Sequence, residues 1–178
     1  MEEKAKTPFL KPALIYGAIL GFAAILLSVI FYVLNLQFKT WTQLVSLVVI
    51  IAVLAYTLKA YRDEYLGGFA SYGQILLMLL GIAVVSTILS TLYQYILISY
   101  IDVDYLEKSQ QAVIERWANN PRITESQLDA LIERTEGSIG KGRIIRNSLI
   151  WGTVVTFIIG MIVAAFIKKD ENPVDQQV

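Results

Sequence analysis

The chain has 178 residues, 56% of them hydrophobic, with a mean hydropathy of +0.57, whereas soluble domains are about 45–50% apolar. Its 15 basic and 15 acidic residues balance, so no bulk charge attracts nucleic acid and no nucleic-acid partner is expected. The chain has no cysteine and no histidine, which excludes disulfides, thiolate metal sites, histidine-based triads and the commonest general base. We therefore expect no enzyme, no cofactor and no metal site.

Four long windows without charged side chains predict an all-α polytopic membrane protein. A span needs about 20 apolar residues, and the windows give spans at about 13–36, 41–58, 72–101 and 146–167, with Arg146 at the edge of the last window. The first exceeds the apolar region of a signal peptide and no cleavage pattern follows it, so we expect a permanent helix.

The third span is the longest and the second is the shortest. About 30 residues of helix extend about 45 Å, more than the hydrocarbon core of about 30 Å. We expect the third helix to project beyond the membrane, because tyrosines, which favour the headgroup level, crowd its far end. These are Tyr93, Tyr95, Tyr100 and Tyr105.

Basic residues near the span ends favour both termini in the cytoplasm. They are Lys4, Lys6, Lys11, Lys59, Arg62, Lys168 and Lys169. Lys141, Arg143 and Arg146 flank the fourth span on the opposite side and weigh against this orientation. Asp63 and Glu64 are adjacent in the loop after the second span. We expect them to neutralise part of the positive charge of Lys59 and Arg62 rather than to bind a metal, because adjacent helical residues do not face each other.

Residues 102–142 form the only segment outside the spans that is long enough to fold, and they predict a helical hairpin. Asp102 or Asp104 can cap a first helix that runs to about Ala118, and the stretch 119–121 (Asn-Asn-Pro) breaks it. Thr124 and Gln127 form a capping box for a second helix. The glycines at 137, 140 and 142 are expected to end it.

Each hairpin helix carries an apolar stripe that it cannot bury alone. The stripes consist of Leu106, Val113, Ile114 and Trp117, and of Leu128, Leu131 and Ile132. They can pack on each other, on the membrane surface or on a partner. Trp117 is the candidate interaction residue, because tryptophan is enriched among interface hot spots.

Small residues recur every four positions in the first and fourth spans, and they allow helix backbones to approach closely. In the first span they are Ala13, Gly17 and Gly21, and in the fourth Ser148, Gly152, Thr156, Gly160 and Ala164. We expect packing within the chain, with homodimerisation as the alternative.

The third span carries Ala83, Thr87, Ser90 and Gln94 along one face. Such side chains can hydrogen-bond to neighbouring helices or line a substrate path. No ionisable residue lies within the charge-free windows, which disfavours a proton-coupled transporter. A facilitator of neutral solutes needs no such residue.

The stretch Gly67-Gly-Phe-Ala-Ser-Tyr-Gly-Gln74 leads into the third span. Gly67 and Gly68 permit the positive φ angles of a tight turn. Ser71 and Gln74 can form a capping box, and Gly73 allows a close backbone approach. We expect a structural role, with a binding site as the alternative.

This motif resembles the signature of a bacterial membrane-protein family, domain of unknown function 4199. The Tyr-Ile-Asp-Val-Asp-Tyr-Leu-Glu stretch at 100–107 and the four-span layout with a long third loop agree with the resemblance. At Val103 the family pattern would often show proline. The resemblance implies a bacterial inner-membrane location and no assigned activity.

Two functions follow from this reading. The first is a non-catalytic scaffold that packs against a second copy or another membrane protein within the lipid bilayer. The alternative is a channel or facilitator for a small neutral solute, lined by the polar face of the third span. A polar cavity that reaches the bilayer midplane would favour the alternative.

Overall fold

The apolar windows form four long helices. The computed structural model describes residues 9–136 and 140–169. The helices are α1 (Leu10–Val33), α2 (Thr40–Tyr65), α3 (Tyr72–Ile96), which continues into a π-helical turn (Leu97–Ile101), α4 (Tyr105–Ala118), α5 (Glu125–Glu136) and α6 (Lys141–Ile167). By length and composition, α1, α2, α6 and α3 with its π-helical turn can each cross a membrane. The described residues form no strand, and two of them, Ala70 and Lys169, pair in an isolated antiparallel bridge.

Helix α1 ends at Val33 rather than at the expected residue 36. Asn35 adopts a φ of 54°, and asparagine is among the residues that tolerate this left-handed conformation. The Asn35 and Leu36 N–H groups donate to the carbonyls of Tyr32 and Phe31. This double hydrogen bond is a Schellman motif, and it ends the helix within the apolar window.

Helix α2 continues to Tyr65, beyond residue 58, where we expect the second span to end. The charged residues after it, which we expected in a loop, form the last turns of the helix. Arg62 pairs with Asp63 at 2.7 Å and donates to the carbonyl of Ile167 at 2.9 Å. Glu64 accepts a hydrogen bond from the Tyr16 hydroxyl at 2.8 Å. Neighbouring helices thus satisfy these polar groups, and the helix extends beyond its apolar part.

The turn between α2 and α3 has the expected chemistry except at one glycine. Gly67 and Gly68 have φ angles of 67° and 90°, and Ser71 and Gln74 form a capping box at the start of α3. The close approach expected at Gly73 is wrong, because a Cβ there would meet no heavy atom within 4 Å.

Helix α6 begins at Lys141, before the expected start at residue 146. Gly140 is its N-cap residue and Gly142 lies inside its first turn, so the expectation that these two glycines end the preceding helix is wrong. Gly137 lies outside the described residues.

The short helices α4 and α5 lie between α3 and α6 and contact each other. Asp104 is the N-cap residue of α4, although its side chain makes no capping hydrogen bond. The helix ends before Asn119, and Thr124 and Gln127 form the expected capping box at α5. The apolar side chains of both stripes are half-buried. The hairpin itself stays a prediction.

Helix α3 is the centre of the bundle, with α1 on one side and α6 on the other. The α1 face that carries Ala13, Gly17 and Gly21 lies against it. A Cβ built on Gly17 would lie 2.5 Å from the Cβ of Val85, and one built on Gly21 would lie 3.0 Å from Leu89 Cδ1. A larger residue at Gly17 would therefore force a shift of Val85 and its helix, whereas one at Gly21 would require its α3 neighbours to move by a few tenths of an ångström.

The small residues of α6 also face α3. A Cβ on Gly152 would lie 2.9 Å from Thr87 Cγ2, and one on Gly160 would collide with the side chain of Leu79. Ala164 is fully buried, and Ser148 bonds to Gln94 of α3. These small residues of α6 therefore pack within the chain.

Two ends of the bundle can be distinguished. At the terminal end, where α2 and α6 finish, the fully buried side chains of Leu54, Leu58, Ile75, Met78, Leu79 and Ile82 form a solid core. The other end, which we call the α4 end, holds the π-helical turn and α4. In that half, α2 buries only Thr42 of its side chains. The bundle is therefore tightly closed at the terminal end and more open toward α4.

We predict that Gly160→Leu destabilises the bundle, because the new side chain must displace the fully buried Leu79. Overpacking of this kind costs about 1–3 kcal/mol, which should lower the thermal unfolding midpoint in detergent. Gly73→Leu is the matched control, since its side chain enters open space. Equal unfolding midpoints for the two variants would contradict the packing of α6 against α3.

Candidate functional site

A cleft lies between the four long helices and begins at the middle of α3, and most of the surface that it exposes is apolar. Its volume is about 160 Å³. Most of its wall is formed by hydroxyl and amide side chains of α3 and small or hydroxyl residues of α6. The lining comprises Leu20, Ala24, Ile50, Ser86, Thr87, Ser90, Thr91, Gln94, Ser148, Gly152 and Thr156. We call it the central cleft.

A second cleft of about 180 Å³ continues from the central cleft toward the α4 end. The two share Ala24, Ser90 and Gln94. The second cleft adds the hydroxyls of Ser28, Tyr93 and Tyr105, the last of which comes from the first turn of α4. We call it the Tyr105 cleft. Of the described residues, none that lines either cleft is charged.

The polar groups of the central cleft are only partly engaged with the protein. The Ser86 hydroxyl donates to the carbonyl of Ala83 at 3.1 Å, as helical serines commonly do. The Ser148 hydroxyl donates to Gln94 Oε1 at 2.6 Å and so ties α6 to α3. The other lining hydroxyls, on Thr87, Ser90 and Thr91, hydrogen-bond to none of the described residues.

The central cleft does not continue through the bundle to the terminal end. Leu20, which is 3% exposed, forms part of its wall, and Leu79 and Ile82 lie fully buried one to two turns before Ser86 along α3. This apolar core separates the cleft from the terminal end, so the described conformation contains a pocket rather than an open pore.

At the α4 end, Asp102 joins three elements. This carboxylate is only 8% exposed, and it pairs with Lys108 of α4 at 2.8 Å and accepts from the Tyr32 hydroxyl of α1 at 3.4 Å. The hydrogen bond to Asp102 raises the pKa of the Lys108 ammonium. Asp102 directly follows the π-helical turn, an irregularity that is frequent at functional sites.

Helix α4 also contacts the loop between α1 and α2. The Tyr105 ring lies 5.4 Å from the ring of Phe38, centroid to centroid, and burial raises the pKa of the Tyr105 hydroxyl. Arg116 donates to the carbonyl of Phe38 at 3.1 Å. These contacts position the start of α4 beside the Tyr105 cleft.

The structure brings together two sets of residues that the sequence presents separately. Thr87, Ser90 and Gln94 of the polar α3 face meet the small α6 residues Gly152 and Thr156 at the central cleft. Gly17 and Gly21 pack on α3 instead, and the turn motif of Gly67 to Gln74 lies at the terminal end. Trp117 is half-buried on α4 and lines neither cleft.

Some residues at or near the site escaped the sequence analysis. Thr91 and Ser86 line the central cleft, and Thr91 could have been found because it lies one helical turn after Thr87. Gly81 of α3 was also missed, and a Cβ there would lie 2.8 Å from that of Ala13. The pairing of Asp102 with Tyr32, 70 positions away, has no local signal.

Comparison with known proteins agrees with the resemblance noted in the sequence. No curated protein and no solved structure matches the chain. One family model matches residues 15–169, a range that includes both the turn motif before α3 and the stretch 100–107. The chain therefore belongs to the family described as Protein of unknown function (DUF4199).

Proposed function

We propose that this protein is a non-catalytic facilitator of the bacterial inner membrane that takes a small uncharged polar solute into the central cleft. The observation that carries this proposal is the position of the cleft, which reaches the middle of α3, a helix long and apolar enough to cross a membrane. The sequence alone favoured a scaffold. A cavity with hydroxyl and amide groups in its wall, at the middle of a spanning helix, favours the facilitator.

The chemistry of the lining supports an uncharged solute. A polar group buried in an apolar environment without a partner costs about 1–3 kcal/mol, so the hydroxyls of Thr87, Ser90 and Thr91 favour an occupant that can hydrogen-bond. A charged occupant would need a compensating charge, and no described residue of the lining supplies one.

Passage of a solute also requires a second conformation. The apolar core at the terminal end closes the cleft in the described state, whereas the α4-side half of α2 buries little of its surface. We propose that this half of α2 moves relative to α1 and α6 while the tightly packed α1–α3–α6 unit stays intact.

In this proposal both termini are cytoplasmic, and α4 and α5 form a periplasmic helical hairpin beside the opening of the Tyr105 cleft. The basic residues at the terminal end support the orientation. They include Lys59 and Arg62, which lie in the last turns of α2.

The orientation predicts that a fluorescent protein fused after Val178 fluoresces, because the reporter folds in the cytoplasm and folds poorly when exported. Whole-cell fluorescence measures this. Strong activity of a periplasmic reporter, such as alkaline phosphatase, at the same position would contradict the orientation.

We predict that Ser90→Leu blocks solute entry, because Ser90 lines both clefts and a leucine would fill the space between them. In proteoliposomes containing the purified chain, glycerol or urea influx measured by light scattering should exceed that of empty liposomes. The variant should return the rate to the empty-liposome level. Val84→Leu, on the exposed face of α3, is the control and should retain the wild-type rate.

A second candidate function, a scaffold, is favoured by the surface of α4 and α5. Their apolar stripes remain half-buried, and a shallow cleft on the α5 side is bordered by Ile123, Gln127, Ala130, Leu131 and Arg134. A second copy of the chain or another membrane protein could cover these stripes, with Trp117 as the largest apolar group available.

The scaffold hypothesis predicts that Trp117→Ala abolishes association while α4 and α5 stay folded. Cross-linking in native membranes reports association, and hydrogen exchange reports folding of the two helices. If Trp117 packed only against α4 and α5, its truncation to alanine would lower the local folding stability by about 3–5 kcal/mol. Unchanged cross-linking with faster exchange across both helices would therefore contradict the recognition role.

A further inference from the structure

We infer that Gln94 selects the solute, and that the solute class is a short-chain polyol. This inference rests on the proposed function, because it assigns a ligand to the same clefts. It is carried by the orientation of one amide group at the junction between the central cleft and the Tyr105 cleft.

Gln94 lines both clefts and is held from one side only. The Ser148 hydroxyl donates to its Oε1 at 2.6 Å, a distance typical of an O–H···O hydrogen bond and short for N–H···O. This bond fixes which end of the amide faces α6. The Nε2 group donates to none of the described residues, so its two N–H donors remain for a ligand.

The rest of the lining can both donate and accept. Thr87 and Thr91 are four residues apart, and Ser90 and Gln94 are also four apart, so each pair is separated by about 6 Å along the axis of α3. A hydroxyl can rotate to act as donor or acceptor, whereas the Gln94 amide nitrogen can only donate. A ligand that fits must therefore accept a hydrogen bond from the Gln94 amide nitrogen. It must also donate hydrogen bonds to the hydroxyls of the lining or accept them from these hydroxyls.

The size of the central cleft and its uncharged lining narrow the class of ligand further. The central cleft of about 160 Å³ has room for a small organic molecule rather than for a single water. A three-carbon polyol such as glycerol matches this size, carries no charge and presents an amphoteric hydroxyl on every carbon. Urea is also small and neutral, but it carries four N–H donors and a single acceptor atom, its oxygen. That oxygen is the only atom of urea that can accept a hydrogen bond from the Gln94 amide nitrogen.

Ser148 is a positioning residue in this scheme. Its hydrogen bond keeps the carbonyl oxygen of Gln94 turned toward α6, so that the amide nitrogen is presented to the solute. Without this hydroxyl the amide can turn over and present its acceptor, which suits a donor-rich solute. Loss of the Ser148 hydroxyl should thus weaken selectivity without blocking passage.

The test compares glycerol and urea influx into proteoliposomes for the wild type, Gln94→Met and the control Gln43→Met. Gln43 lies on the exposed face of α2, outside both clefts. We expect glycerol influx through the wild type to be about tenfold faster than urea influx, because one hydrogen bond changes a rate or affinity by about this factor. Gln94→Met should lose this preference and Gln43→Met should keep it, with similar unfolding midpoints in detergent.

A second pair of variants isolates the positioning role. Ser148→Ala should reduce the ratio of glycerol to urea influx by raising urea influx, and Ser148→Thr, which retains the hydroxyl, should restore the ratio. A wild type that carries urea as fast as glycerol, or a Gln94→Met variant that keeps the preference, would overturn this inference and leave the facilitator standing. Influx of both solutes at the empty-liposome rate in the wild type would overturn the facilitator, and the role of Gln94 with it.

Discussion

The close approach of α3 to α1 and α6 is the constraint on which the rest of the structure depends. Between helices in lipid there is little hydrophobic force, because lipid tails are as apolar as leucine, so association depends on close van der Waals packing and interhelical hydrogen bonds. Gly17, Gly21 and Gly160 provide that approach, since even a single added carbon at these positions would press against a side chain of α3. Helix α3 is consequently buried over a larger share of its span than any other long helix.

The same small residues explain why a cleft forms next to such tight packing. At Gly160, the fully buried Leu79 fills the space that the glycine leaves. Nearer the α4 end, Gly152 also packs closely on Thr87, but the α3 side chains that follow, Ser90, Thr91 and Gln94, leave a cleft between α3 and α6. The change from leucine to shorter hydroxyl side chains along α3 thus replaces the solid core by a cleft within a few helical turns.

Polar contacts at the two ends of the bundle have different consequences. At the terminal end, the hydrogen bond from Arg62 to Ile167 and the bridge between Ala70 and Lys169 join α2, α3 and the end of α6. At the α4 end, Asp102 and Lys108 join α3 to α4, and Lys108 is half-exposed. The terminal end also holds the fully buried apolar core, whereas α2 buries only Thr42 in the other half, so the cleft lies in the more open half of the bundle.

The sequence by itself determined the features that depend on local chemistry. Exclusion of charge located the four helices that are long and apolar enough to cross a membrane, because a charged group in lipid is costly. Caps such as Ser71 with Gln74 and Thr124 with Gln127 were predicted correctly, because both partners lie within one helical turn. The small-residue spacing predicted packing faces on α1 and α6, although it could not name the helix that each face meets.

Only the tertiary structure decided what depends on residues distant in the chain. Helix α2 extends to Tyr65 because Tyr16 and Ile167, from two other helices, satisfy Glu64 and Arg62. The polar face of α3 encloses a cleft because α6 supplies small residues opposite it, whereas the periodicity of α3 alone permits packing equally well. The orientation of the Gln94 amide depends on Ser148, 54 positions away. No local pattern encodes such a pairing, since it exists only once α3 and α6 lie side by side.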